Sequence, residues 1–204
     1  MDLKQIQDHT VKALNQSPKQ IDGYEWYSIA DMFPDAVFQR LLEQDANDTA
    51  AEMLDIFDNE EYVDALFAKF NASPLRSQKI SSIYTFPQSS GPGYTLKPHV
   101  DSYPRVFTMT VYLAPNNDYA SAGTSIYKVN RETRDWTTLG TAPFLRNYAK
   151  VIAPYDDLTW HGVDLITDPV ERRSVVVVFS DQEWNETQLH YADWKPGRTV
   201  EYYA

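Results

Sequence analysis

The sequence predicts a mainly β protein with a helical N-terminal third, its strands folded as a sandwich or jelly roll. Beyond Lys79, short runs rich in β-branched and aromatic residues alternate with clusters of Gly, Pro, Asn and Asp. Those runs fall at 80–86, 106–113, 124–129, 150–153 and 173–180. Before Lys79 the apolar residues recur at helical spacing instead. The regular strand–helix alternation of a parallel α/β sheet is missing.

Taken in order, Leu3, Ile6 and Leu14 are sparse apolar points in a polar helical segment that ends near Pro18. A short strand is expected around Trp26, Tyr27, Ser28 and Ile29. Pro34 and Asp35 then open a helix with Val37, Phe38, Leu41 and Leu42 on one face. One further helix is expected over 50–70, with Leu54, Phe57, Tyr62, Leu66 and Phe70 inward. Its acidic residues Glu52, Asp55, Asp58, Glu60, Glu61 and Asp64 form a solvated face. The strand-rich region follows. The tail, with Trp184, Tyr191, Trp194, Tyr202 and Tyr203, is too aromatic for a disordered end and is expected to pack back. No repeat, low-complexity tract or long linker divides the chain. The reading is one domain over 1–204: a helical support at 1–78, a jelly-roll core at 79–184 and an aromatic tail at 185–204.

Composition bounds the function. The 204 residues suffice for a substantial core. A net charge of −11 argues against a protein that lives on a phosphate backbone, where a basic face is needed. With no cysteine, there is no disulfide, thiolate metal site or cysteine nucleophile. The first twenty residues hold no apolar signal core, and no run is long and apolar enough to span a membrane. A soluble, cytoplasmic protein without membrane or nucleic-acid partners is expected.

Chemistry concentrates in 94–113. His99 and Asp101 stand two residues apart, a spacing that puts both on the same side of a strand with Val100 turned away. A third ligand, His161, lies in Leu158-Thr159-Trp160-His161-Gly162-Val163. Two imidazoles and one carboxylate on one face of an octahedron are the donor set of non-haem Fe(II) oxygenases, with three positions left open. His9 and His190, the other two of the four histidines, show no partner pattern and read as surface residues.

The strands beside these residues have two distinct faces. Phe107, Met109, Val111 and Leu113 form an apolar face, whereas Val106, Thr108, Thr110 and Tyr112 form the semi-polar wall expected of a pocket. In the later strand, Arg172, Ser174, Val176 and Val178 share a side opposite Arg173, Val175, Val177 and Phe179. Ser174 marks the pocket side and favours Arg172 over Arg173 as an anion clamp. A guanidinium suits a carboxylate because it gives two parallel hydrogen bonds.

These residues resemble the Fe(II)/2-oxoglutarate-dependent dioxygenases, and among them the prolyl-4-hydroxylase-like branch. The resemblance runs over about half the chain. It rests on Tyr84 and Tyr94, then His99-Val100-Asp101, Arg105, Thr108 and Tyr112-Leu113. Gly123-Thr124, Trp160-His161-Gly162-Val163 and Arg172 with Ser174 follow in the same order. It implies a double-stranded β-helix (jelly-roll) core flanked by helices. It implies that His99, Asp101 and His161 bind Fe(II) and are catalytic. Arg172 would hold the distal carboxylate of 2-oxoglutarate, with Tyr112, Tyr84 and Thr110 as neighbours of that cosubstrate. Arg105 and Tyr94 would lie where substrate enters, and 87–97 would be a mobile loop over the mouth. The implied reaction consumes 2-oxoglutarate and O2, releases succinate and CO2, and hydroxylates an unactivated C–H bond. Retention of Asp101 implies hydroxylation rather than halogenation. The chain departs from the family pattern at Ala122, where a second Gly is usual, and at Val178, where many relatives carry Trp.

A peptidyl proline is the first expectation for substrate, with free amino acids or other small molecules as the alternative. Two other classes fit some of the same residues. A cupin-like jelly roll would use the three ligands for Zn(II) or Mn(II) without a 2-oxo acid, and would have no need of Arg172. A non-catalytic interaction module would have no physical reason to keep the whole set.

Overall fold

A computed structural model describes residues 1–182 and 197–203. The N-terminal part consists of α1 (Leu3–Gln16), β1 (Lys19–Ile21), β2 (Glu25–Ala30), α2 (Asp35–Glu43), α3 (Ala46–Phe57) and α4 (Glu60–Lys69). There follow β3 (Lys79–Ser90), β4 (Leu96–His99), β5 (Arg105–Tyr112), β6 (Thr124–Val129), β7 (Trp136–Ala142), β8 (Tyr148–Ile152), β9 (His161–Val163), β10 (Arg172–Ser180) and β11 (Gly197–Tyr203).

The strands form a seven-stranded sheet, β1-β2-β8-β5-β10-β3-β11, and a four-stranded sheet, β4-β9-β6-β7. From β3 to β10 the chain crosses repeatedly between them: β3, β5, β8 and β10 lie in the larger sheet and β4, β6, β7 and β9 in the smaller, where β6 and β7 form a hairpin. Successive strands thus wind back and forth across one interior, which is the jelly roll the sequence predicts. No helix among the described residues is long and apolar enough to cross a membrane.

Side-chain alternation gives the larger sheet two unlike faces. One carries Phe107, Met109 and Val111 from β5, Val175, Val177 and Phe179 from β10, and Ala149 and Val151 from β8. All are buried in the main core with α3 and α4, where Phe67 meets Phe107 edge-on at 5.2 Å. Burying each large side chain is worth about 1.5–3 kcal/mol. The opposite face, with Thr108, Thr110, Tyr148, Lys150 and Val176, looks into the roll.

The helices begin where a polar side chain takes up the free N–H groups. Asp2 and Gln5 form a reciprocal capping box on α1, and Asp45 accepts from Asn47 and Asp48 at the start of α3. The same principle corrects the single helix expected over 50–70. Asn59 accepts from the Glu61 N–H and starts a new helix, so the segment breaks at 58–59 into α3 and α4.

The expected loop at 87–97 is also corrected. β3 continues to Ser90 because Pro87, Gln88, Ser89 and Ser90 pair with Val175, Ser174, Arg173 and Arg172 of β10. Only 91–95 is left to turn into β4. β7 was not anticipated: Trp136, Thr137, Thr138 and Leu139 are all exposed, so its pattern carries no apolar alternation. In the tail, β11 pairs with β3, and Tyr202 packs against the main core while its hydroxyl donates to Asp58 at 2.8 Å. Trp184, His190, Tyr191 and Trp194 lie outside the described residues.

Candidate metal centre

His99 is the last residue of β4 and His161 the first of β9, and the antiparallel register sets them directly opposite each other. Their ring centroids are 4.5 Å apart. The close approach of the two strands depends on Gly162, where an added Cβ would stand 2.3 Å from the Leu96 carbonyl oxygen. Asp101 lies two residues past the end of β4, not on the strand as the spacing suggested. Its carboxylate still turns inward, with Oδ2 3.8 Å from His161 Nε2. One donor atom from each of the three residues lies within 4.8 Å of the others.

The protonation states suit a cation. His99 Nδ1 faces the Lys97 carbonyl at 3.1 Å and His161 Nδ1 the Thr159 carbonyl at 2.9 Å. Placing each proton on Nδ1, where it donates to that carbonyl, leaves the Nε2 lone pair free. Burial, then the nearby Lys150 ammonium, push the His161 pKa well below its ordinary value, so the imidazole is neutral. Burial alone would raise the Asp101 carboxyl; with His161 neutral, the adjacent Arg105 guanidinium is the charge that holds it below the usual carboxylate range. Arg105 Nη1 donates to Asp101 Oδ1 at 2.6 Å. Asp101 Oδ2 is buried without a hydrogen bond, a loss worth about 1–3 kcal/mol that a bound divalent cation would relieve. Donor set, charge and orphaned oxygen all fit an Fe(II)-type ion.

These three residues open onto a cavity of about 420 Å³, also lined by Thr108, Thr110 and Arg172. That is the size of a small-ligand pocket, for which about 300–1,000 Å³ is usual. Arg172 is 2% exposed. Its Nε donates to the Ala122 carbonyl at 2.7 Å, and its terminal nitrogens lie 3.3–3.4 Å from the Thr124 and Ser174 hydroxyls. None of these partners is a carboxylate. Arg173 points the other way, donating to the carbonyls of Leu42 and Gln44 at 3.0 and 3.2 Å.

The remaining residues singled out from the sequence are spread around this cavity. Thr110 and the partly exposed Tyr94 line it. Arg105 lines it too, but with its guanidinium on Asp101, at the metal end. Tyr112 lies behind Arg172, its ring 5.3 Å from the guanidinium and its hydroxyl donating to Thr124 at 2.6 Å. Tyr84 is not among the lining residues; it packs with Phe86, Val176 and Val178, and its hydroxyl interacts with Arg105. His9, expected at the surface, is partly buried and bonds through Nε2 to the Asp31 carbonyl at 2.9 Å.

Sequence reasoning missed Lys150. It is 1% exposed on β8, and burial, which outweighs the attraction of Asp101, lowers its pKa to about 7. The available signal was a single cation at the centre of the Tyr148–Ile152 run.

Fold and donor set together define a jelly-roll protein with a two-histidine, one-carboxylate centre. Among solved structures, the chain is similar in fold to a Pseudomonas putida prolyl-4-hydroxylase, at 14% identity and a TM-score of 0.52, covering 87% of this chain and 95% of that one. It is likewise similar to apo HygX from Streptomyces hygroscopicus, at 9% identity and a TM-score of 0.52, covering 78% of this chain and 84% of that one. No protein-family model matches the chain, and no curated protein matches its sequence.

Proposed function

We infer that this chain is an Fe(II)- and 2-oxoglutarate-dependent dioxygenase that hydroxylates an unactivated C–H bond. One observation carries the reading: His99, Asp101 and His161 share a single cavity with a buried guanidinium, Arg172, whose partners among the described residues include no carboxylate. A metal-binding protein with no acidic ligand has no use for that second charge. A 2-oxo diacid uses both, chelating at the metal end and pairing its far carboxylate with Arg172.

When bound, iron with O2 and 2-oxoglutarate would supply the oxidation, giving succinate, CO2 and a hydroxylated product. The chain itself orients and insulates. Tyr112 and Thr124 brace Arg172 from behind, and Arg105 fixes one oxygen of Asp101 so that the other faces the donors. Thr108 and Thr110 furnish a semi-polar wall between the two charged ends. Tyr94 and the 91–95 turn stand where substrate would enter. Likeness of fold to a prolyl-4-hydroxylase makes a peptidyl proline the first substrate class to try.

The test begins without oxygen. Fe(II) and 2-oxoglutarate together should produce a weak visible charge-transfer band that neither produces alone. With oxygen admitted, succinate release is compared across proline-containing peptides and free amino acids. Absence of the band, with iron demonstrably bound, sinks the reading.

A further inference from the structure

Beside the cavity, on the same inward face of the larger sheet as its lining residues Thr110 and Val176, lies a buried cation that the metal centre and one distal carboxylate do not account for, Lys150. Across the larger sheet, register places Ser28, Lys150, Thr110, Val176 and Phe86 in one row. The neighbours of Lys150 along β8, Ala149 and Val151, belong to the helix-facing core, so Lys150 points inward with Thr110 and Val176, which line the cavity. Its ammonium makes no hydrogen bond or ion pair among the described residues. A buried ammonium without a partner costs several kcal/mol, a cost that an anionic ligand would remove.

Position decides which anion. The Lys150 row is one same-face step, about 7 Å, from the row of Thr108 beside Asp101, and two steps from Arg172 beyond Ser174. Lys150 also acts electrostatically on both Asp101 and His161. Among the described residues neither Lys150 nor Arg172 is paired with a carboxylate, and two such charges suit a dianion.

We propose that Lys150 is a second anion-binding residue of the cavity, holding the carboxylate adjacent to the oxo group of a 2-oxo diacid while Arg172 holds the distal one. This rests on the oxygenase reading above. It makes Lys150 a determinant shared by every 2-oxo acid the cavity accepts, whereas Arg172 selects only those with a far carboxylate.

Calorimetric titration of the Mn(II)-loaded full chain with 2-oxoglutarate and with 2-oxopentanoate, which lacks the distal carboxylate, separates the two roles. Lys150→Met should weaken both ligands by about 10- to 100-fold, the value of one charge-assisted hydrogen bond. Arg172→Met should weaken 2-oxoglutarate alone. Lys150→Met should also raise the melting temperature of the unliganded protein, the opposite of what loss of a structural ion pair would do. If that variant folds poorly, Lys150→Gln serves the same test. Unchanged binding of 2-oxopentanoate by a folded Lys150 variant overturns the proposal and leaves the oxygenase reading intact. A wild-type protein that binds metal but neither oxo acid overturns the oxygenase reading itself.

Discussion

His99 and His161 face each other across the β4–β9 pair, one residue ending its strand and the other beginning its own. Two of the three donors are thus set by strand pairing, and Asp101 follows two residues beyond the end of β4. The donor distance therefore depends on how closely two backbones approach, and Gly162 sets that approach.

Gly162→Ala should loosen the centre without unfolding the protein. The new methyl would meet the Leu96 carbonyl oxygen at 2.3 Å and the Lys97 carbonyl oxygen at 3.1 Å, both backbone atoms that cannot swing aside. β9 must shift from β4, carrying His161 away from His99. Metal affinity should fall by about 10- to 100-fold, the range for disturbed ligand support. Anaerobic Fe(II) or Mn(II) titration reads this directly, and unchanged affinity would show that β4 and β9 have more slack than the contact implies.

The two adjacent arginines should behave oppositely. Arg172→Ala leaves a carboxylate in the cavity without its partner, and 2-oxoglutarate binding should weaken by about 2–5 kcal/mol. Arg173→Ala removes donors to Leu42 and Gln44, a contact with the helical layer, and should spare binding while lowering the melting temperature. Reversal of this pattern in binding titrations would place the anion on the other face of β10.

Much of this was legible in period-two alternation. The β5 and β10 patterns separate a core face from a pocket face, and Ser174 among valines identifies Arg172 as the inward arginine. The three candidate metal ligands were legible because ligand chemistry restricts residue type at defined spacing. What was illegible depended on partners distant in sequence. The extension of β3 through Pro87 follows from pairing with β10, and the break before α4 from one Asn59 cap that outweighed helical periodicity across it. Lys150 is not legible from periodicity, because a lone cation in a β-rich run fits a solvated edge as well as an interior. Only the sheet order, with β8 between β2 and β5, makes it interior.

Truncating Phe107 tests the support under the site. The ring is fully buried and packs against Phe67, Phe70 and Phe179 at centroid distances of 5.2, 5.5 and 6.4 Å. Phe107→Ala should cost about 3–5 kcal/mol, read from the midpoint of chemical denaturation. Because the ring lies on the helix side of β5, metal affinity of the folded fraction should change little. A small stability loss would mean that the helical layer collapses into the space.

Lys150 should also leave a signature in the pH dependence of stability. Its pKa is about 7 in the folded chain against an ordinary 10.5. Between those values the unfolded chain holds a proton that the folded chain has released, so stability rises with pH through that window. Below pH 7 both states are protonated and the penalty of the buried charge is fully present, a few kcal/mol at about 1.4 kcal/mol per unit of displacement. The charged groups facing it are Asp101, Arg172 and His161. The carboxyl and imidazole titrate well below this window, and the guanidinium stays charged throughout. Denaturation of the metal-free wild type and Lys150→Met at pH 6.5, 8 and 9.5 should therefore give a gap in favour of the variant that narrows as pH rises. Two curves running parallel across this range would mean that Lys150 keeps its ammonium solvated, with no unpaired charge inside the roll.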